Sequence, residues 1–142
     1  MAKTGSCLCG AVKYTMNEPP ADFGACHCGM CRKWSGGVYF GMTAPAGTVD
    51  FEGEENLSVF PSSDWAERAF CKTCGSSLYY RVTAPGDHHG TYHMGVGTLD
   101  EPGDMALTSE LFIELKPSGY SFAQKTEQIT GEQLFAMFAP PE

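Results

Sequence analysis

Seven cysteines in a chain of 142 residues, gathered into three tight clusters, constrain this sequence more than any other feature. They fall as Cys7 and Cys9 (CLCG), then Cys26, Cys28 and Cys31 (CHCGMC), then Cys71 and Cys74 (CKTCG). An odd count cannot pair completely, and a CxC pair would close a strained ring if oxidised. The start, MAKTGSCLCG, has no apolar stretch of the kind a secretory signal needs, and no apolar run reaches the length of a membrane helix. The expectation is a cytoplasmic, reducing location, where clustered cysteines read as metal ligands rather than disulfides. A thioredoxin-like role for either CxxC pair lacks the βαβ context that such a motif needs.

Spacing then divides the ligands. A CxxCG element such as residues 71–75 turns two thiolates into one site, and the following Gly can adopt positive φ, which makes a zinc knuckle. Cys7 and Cys9, two residues apart, share one face if the chain there is extended, and can close a tetrahedral site with that knuckle. This gives a closed, structural four-thiolate zinc. The remaining triple, Cys26, Cys28 and Cys31, fills three corners of a tetrahedron and leaves one open, the arrangement of a catalytic zinc. The alternative is that the triple is also structural, with His27, His88, His89 or His93 as its fourth ligand.

Charge limits the partners. Seventeen acidic against nine basic residues give a formal net charge of −8, which repels nucleic-acid phosphates and anionic lipid surfaces. Two thiolate-bound zinc ions would make the chain more negative still, so an anionic substrate needs local positive charge. Arg32, Lys33, Arg68, Lys72 and Arg81, five of the nine basic residues, stand close in sequence to the cysteine clusters.

The architecture expected between the clusters is mainly β, with packed antiparallel sheets and little helix. Short segments rich in aromatic and β-branched residues predict strands at residues 11–16, 38–43, 57–60, 67–70, 77–82, 91–96 and 111–115. Turn signals separate them at residues 18–20, 45–47, 52–54, 85–87 and 101–103. Helix is predicted only around residues 30–34 and over residues 131–138 (GEQLFAMF), where Leu134, Phe135 and Phe138 fall on one face. With 17 Gly and 9 Pro and no linker or repeat, residues 1–142 read as a single domain. A sheet edge or the apolar C-terminal segment could form a homodimer.

Three stretches, GSCLCGAVKY, CHCGMCRKWSGG and RAFCKTCGSSLYY, resemble the glutathione-dependent formaldehyde-activating enzyme family, and ELFIELKPSGYSF is similar to that family's C-terminal strand. The resemblance implies a β-tent zinc domain with a structural zinc on Cys7, Cys9, Cys71 and Cys74 and a catalytic zinc on Cys26, Cys28 and Cys31. It further implies a carbon-sulfur lyase that forms or cleaves S-(hydroxymethyl)glutathione or a related thiol-aldehyde adduct, with glutathione as co-substrate. Arg32 and Lys33 are then placed to pair with glutathione's carboxylates. Where many members carry His-Ile, this chain has Glu110-Leu111, and Gly119 stands where a Trp often follows Lys-Pro, which implies a different substrate wall. The β-tent also serves non-catalytic zinc-stabilised binding or chaperone modules, the alternative reading.

Other residues carry smaller expectations. His27, between two proposed ligands, should point away from the metal they share and hydrogen-bond behind it. His93, flanked by apolar neighbours, reads as a satisfied, partly buried histidine, and His88 and His89 as loop residues. Trp34 and Tyr39 flank Gly36-Gly37 as core or as a pocket wall. Ser35, Ser76 and Ser77 lack the partners of a nucleophile.

Overall fold

Strands form where aromatic and branched side chains alternate with polar ones, and the glycines and prolines between them set the turns. The computed structural model describes residues 1–138; the last four residues of the expected domain lie outside the described residues. In chain order the elements are β1 (Lys3–Ser6), β2 (Lys13–Met16), β3 (Asp22–Cys26), α1 (Gly29–Ser35), β4 (Tyr39–Ala44), β5 (Val49–Glu52), β6 (Leu57–Pro61), β7 (Ala66–Cys71), β8 (Ser77–Val82), β9 (Tyr92–Gly95), β10 (Ala106–Leu111), β11 (Glu127–Ile129) and α2 (Gly131–Phe138). Both predicted helices and the mainly β class are present.

A three-stranded antiparallel sheet, β1-β2-β5, packs on an eight-stranded sheet of order β11-β10-β3-β4-β9-β8-β7-β6. The period of two places Tyr14 and Met16 of β2, with Val12 and Val49, against Met42 and Ala44 of β4, Leu78 of β8 and Met94 of β9. Met16, Met42, Leu78 and Met94 are fully buried, and each contributes about 1.5–3 kcal/mol by leaving water.

The expected antiparallel pairing holds except at β10, which runs parallel to both β3 and β11. Two expectations are corrected. The strand expected at residues 111–115 lies earlier, as β10. It ends where Phe112 takes φ 56°, a left-handed conformation that turns the chain into a 3-10 turn at Ile113–Leu115. Finally, Cys7 and Cys9 are not on a strand: β1 ends at Ser6, and Gly10 N–H donates to the Cys7 carbonyl in a tight turn.

Candidate metal centres

The fold draws the cysteines into two groups, Cys7, Cys9, Cys71 and Cys74 in one and Cys26, Cys28 and Cys31 in the other, with the sulfurs of each group within 4.8 Å of one another. In the first group Cys9 Sγ is 3.7 Å from Cys7 Sγ and 3.8 Å from Cys71 Sγ. A tetrahedral zinc with zinc-sulfur bonds of about 2.3 Å has sulfur-sulfur edges of about 3.8 Å. The donor set and spacing therefore fit zinc, and all seven cysteines are free of disulfides.

Two distant pieces of chain make the four-sulfur site. The turn after β1 supplies Cys7 and Cys9, and the β7-β8 hairpin supplies Cys71 and Cys74, with Gly75 at φ 80° and its N–H donating to the Cys71 carbonyl over 2.7 Å. Cys7 and Cys71 belong to the main core. Backbone and side-chain donors face the sulfurs, as thiolates held by a metal require. Val12 N–H donates to Cys7 Sγ over 3.3 Å, and the Ser76 hydroxyl lies 3.2 Å from Cys74 Sγ while accepting from Leu8 N–H. Hydrogen bonds from the Ser76 side chain and backbone lower the Cys74 thiol to about 5. Ser76 thus clasps the two pieces together; its place directly after CxxCG was the only sequence signal for that.

The three-sulfur site is built on one continuous segment. Cys26 ends β3, Cys28 caps α1 with its sulfur accepting from Cys31 N–H at 3.3 Å, and Cys31 lies one turn into the helix. Gly36 closes α1 at φ 81°. The three sulfurs form a second small buried cluster with Tyr39, flanked by Trp34, Tyr80, Leu111 and Phe112. Their thiols separate in acidity: hydrogen bonds from Cys26 and Cys31 lower Cys28 well below the ordinary thiol range, and donating those bonds pushes Cys26 up. Burial keeps the Tyr39 and Tyr80 hydroxyls neutral, and Tyr39 donates to the His93 carbonyl over 2.6 Å.

Among the described residues no histidine joins these three sulfurs. His27 turns away, as its position between two ligands required: Nε2 lies 2.9 Å from Glu110 Oε1 and Nδ1 3.3 Å from the Tyr120 hydroxyl. His88 and His89 are exposed. His93 lies against the face of Tyr80, ring centroids 4.3 Å apart, and burial lowers it to about 4, so it is neutral at pH 7.

The basic residues divide. Lys33 and Lys72 are exposed, and Arg81 is held by Glu67 at 3.0 Å. Arg32 is exposed on α1 and borders a cavity of about 60 Å³ with His27, Pro117 and Tyr120. Arg68 alone of the five is buried, with its Nη1 3.5 Å from Cys31 Sγ. Sequence reading grouped it with its neighbours, since strand register rather than chain proximity brings it to this site. A larger depression of about 420 Å³ on the three-stranded sheet, bordered by Thr4, Lys13, Asp50, Glu52 and Asp100, contains neither thiol nor imidazole.

The profile of a family described as glutathione-dependent formaldehyde-activating enzyme matches residues 2–115. An uncharacterized lyase of Schizosaccharomyces pombe is 30% identical over 132 residues, 92% of each chain. A Halomonas elongata protein provisionally named glutathione-dependent formaldehyde-activating enzyme is 34% identical over 87 residues, 56% of this chain and 55% of that one. A crystal structure of a Rhodobacter sphaeroides protein is similar with a TM-score of 0.56 at 26% identity, covering 74% of this chain and 99% of that one. Tyr120, Phe122, Thr126, β11 and α2 all lie beyond the span that the family profile matches.

Proposed function

The chain belongs to the glutathione-dependent formaldehyde-activating enzyme family, and from that premise we propose that it is a zinc-dependent carbon-sulfur lyase acting on a thiol-aldehyde adduct, S-(hydroxymethyl)glutathione or a relative of it. The observation that carries this reading is the convergence of Cys26, Cys28 and Cys31 with no fourth ligating side chain among the described residues. A zinc held by these three would supply Lewis acidity and stabilise a sulfur as thiolate at neutral pH. In the cleavage direction the carbon-sulfur bond breaks, the hydroxyl proton is given up, and the sulfur takes a proton, leaving thiol and aldehyde.

The chain's own residues bind, orient and enclose. Trp34, Tyr39 and Tyr80 pack around the sulfurs and keep bulk water from them. Arg32 and Lys33, on the outer side of α1, are assigned to the carboxylates of the thiol substrate, with the cavity beside Arg32 supporting that role for Arg32. The His27–Glu110 pair holds the segment that carries the ligands. Cys7, Cys9, Cys71 and Cys74 are assigned a second, structural zinc, and residues 1–142 are read as one zinc domain.

Seven free cysteines support the cytoplasmic assignment. No helix of the described residues is long and apolar enough to cross a membrane. Exposed Val59 and Phe60 on the edge strand β6 support the proposed homodimer, which sedimentation equilibrium would read.

Exchange NMR of a glutathione and formaldehyde mixture tests the activity, with Cys28→Ser as control. Faster interconversion of free and S-hydroxymethyl glutathione with wild type alone is the expected result. No acceleration from protein loaded with two zinc ions would sink this chemistry in favour of another thiol-aldehyde pair or a binding module.

A further inference from the structure

Arg68 is 4% exposed and its guanidinium lies between two rings, 5.2 Å from the centroid of Trp34 and 5.1 Å from that of Tyr80. The register of the large sheet sets this up. Arg68 of β7 stands opposite Tyr80 of β8, and Tyr80 opposite His93 of β9, so the three side chains form one row across the sheet. The rings fix the plane of the guanidinium and hold it beside Cys31 Sγ.

What Arg68 lacks is a carboxylate. Glu67, its neighbour in sequence, faces the other side of β7 and is taken by Arg81. Glu110, the buried acid nearest the cysteine segment in the hydrogen-bond network, is engaged by His27 and Thr126. Among the described residues Arg68 forms no ion pair with an acid, and its Nε is buried without a hydrogen-bond partner. A guanidinium is always charged, and burying one without a counter-anion is costly. Among the described residues the group in contact with it that can become an anion is Cys31 Sγ, which a metal at the three-cysteine site would hold as thiolate.

We propose that Arg68 is a specificity-determining residue that selects an anionic donor, a thiolate, over a neutral one as the fourth ligand of the three-cysteine site. This rests on the reading of that site as a zinc centre that binds a thiol. A divalent metal with three thiolates carries −1, and Arg68 brings the buried assembly to neutrality. A thiolate in the fourth position then leaves −1 rather than −2, whereas a neutral donor gains nothing from the guanidinium. The stacked rings make the charge part of the site rather than a mobile side chain.

The test reads ligand preference without turnover. Protein loaded with two cobalt(II) ions is titrated at one pH with 2-mercaptoethanol, a thiol without carboxylates for Arg32 or Lys33 to bind, and separately with imidazole as the neutral donor. The growth of sulfur-to-cobalt charge-transfer absorbance reports the added thiolate. Arg68→Met should lower thiol affinity by on the order of tenfold to a hundredfold, the range of a charge-assisted contact, and leave imidazole affinity unchanged or raised. Arg68→Lys, which keeps the charge, should recover most of the preference. Thiol and imidazole affinities moving together, or neither moving, would overturn the proposal. If Arg68→Met fails to load two cobalt ions, Arg68→Gln against Arg68→Lys gives the same comparison, with the preference lost in the first and kept in the second. A preference that depends on Arg68 with no lyase activity would sink only the lyase reading; lyase activity with a preference indifferent to Arg68 would sink only this one.

Discussion

Nε2 of His27 lies 2.9 Å from Oε1 of Glu110, joining two buried side chains 83 residues apart in sequence. The contact ties the turn that carries Cys26 and Cys28 to β10, and it recruits the C-terminal segment as well. Thr126 donates to Glu110 Oε2, and Tyr120 and Phe122 pack on the His27 ring with centroids 6.2 Å away. Burial alone would raise the Glu110 carboxyl, but the hydrogen bonds from Thr126 and His27 outweigh it and hold it below its usual range.

Glu110→Ala should therefore cost about 3 kcal/mol, because it leaves His27 buried with its Nε2 unpaired. Urea unfolding of the zinc-loaded protein measures this, and Glu110→Gln, which keeps the acceptor, should lose less than half as much. Equal losses would mean that the geometry of the hydrogen bond matters little.

The two cysteine groups should differ in what they support. Cys74→Ser should abolish cooperative folding, since its group joins two distant chain segments, with Cys7 and Cys71 in the main core, and structural zinc can supply on the order of ten kcal/mol. Cys28→Ser should retain the fold and drop the zinc content from two ions to one, because its group is local to one segment. Metal analysis and thermal unfolding of both variants check the division; equal unfolding would refute it.

His93 gives the acid sensitivity a direction. Its folded value of about 4 lies below the reference of 6.5, so between those limits the unfolded chain binds more protons and stability falls as pH falls. The loss is complete below pH 4 and amounts to up to about 3 kcal/mol. His93→Gln removes the titration, so the stability difference between variant and wild type should change across pH 6.5 to 4 and stay flat above it. A difference independent of pH would show that His93 titrates alike in both states.

Gly53 and Gly75 both have φ near 80°, yet substitution should separate them. At Gly75 a Cβ meets open space, so Gly75→Ala costs only the left-handed backbone, about 1–2 kcal/mol. At Gly53 the Cβ collides with the Ala11 carbonyl, and backbone must move. Gly53→Ala should thus be the more destabilising by at least about 1 kcal/mol in denaturant unfolding. A smaller effect at Gly53 than at Gly75 would contradict this.

Local chemistry made part of this protein legible before any folding. The knuckle at Cys71 to Gly75 and the triple at Cys26 to Cys31 are set by spacing that a few bonds can satisfy, and the grouping of Cys7 and Cys9 with the knuckle followed from ligand number. Even there the reason was partly wrong, since a turn and not a strand brings Cys7 to Cys9. The strand at residues 77–82 was visible because β-propensity and turn signals agree at both ends; β1, β3 and β11 were not, because their short stretches carry little apolar alternation of their own, and β5, where Val49 and Phe51 alternate with Asp50 and Glu52, is only four residues long.

By itself, then, the sequence determined the cysteine groups, the mainly β class and the family, all of which depend on residue identity at short range. The tertiary structure alone decided the parallel placement of β10, the burial of Glu110 against His27, and the choice of Arg68 over Arg32, Lys33, Lys72 and Arg81 as the cation in the three-cysteine site. These depend on which strands become neighbours and which face of each strand turns inward. Such choices are fixed by the packing of the whole sheet and leave no mark on the spacing of the residues concerned.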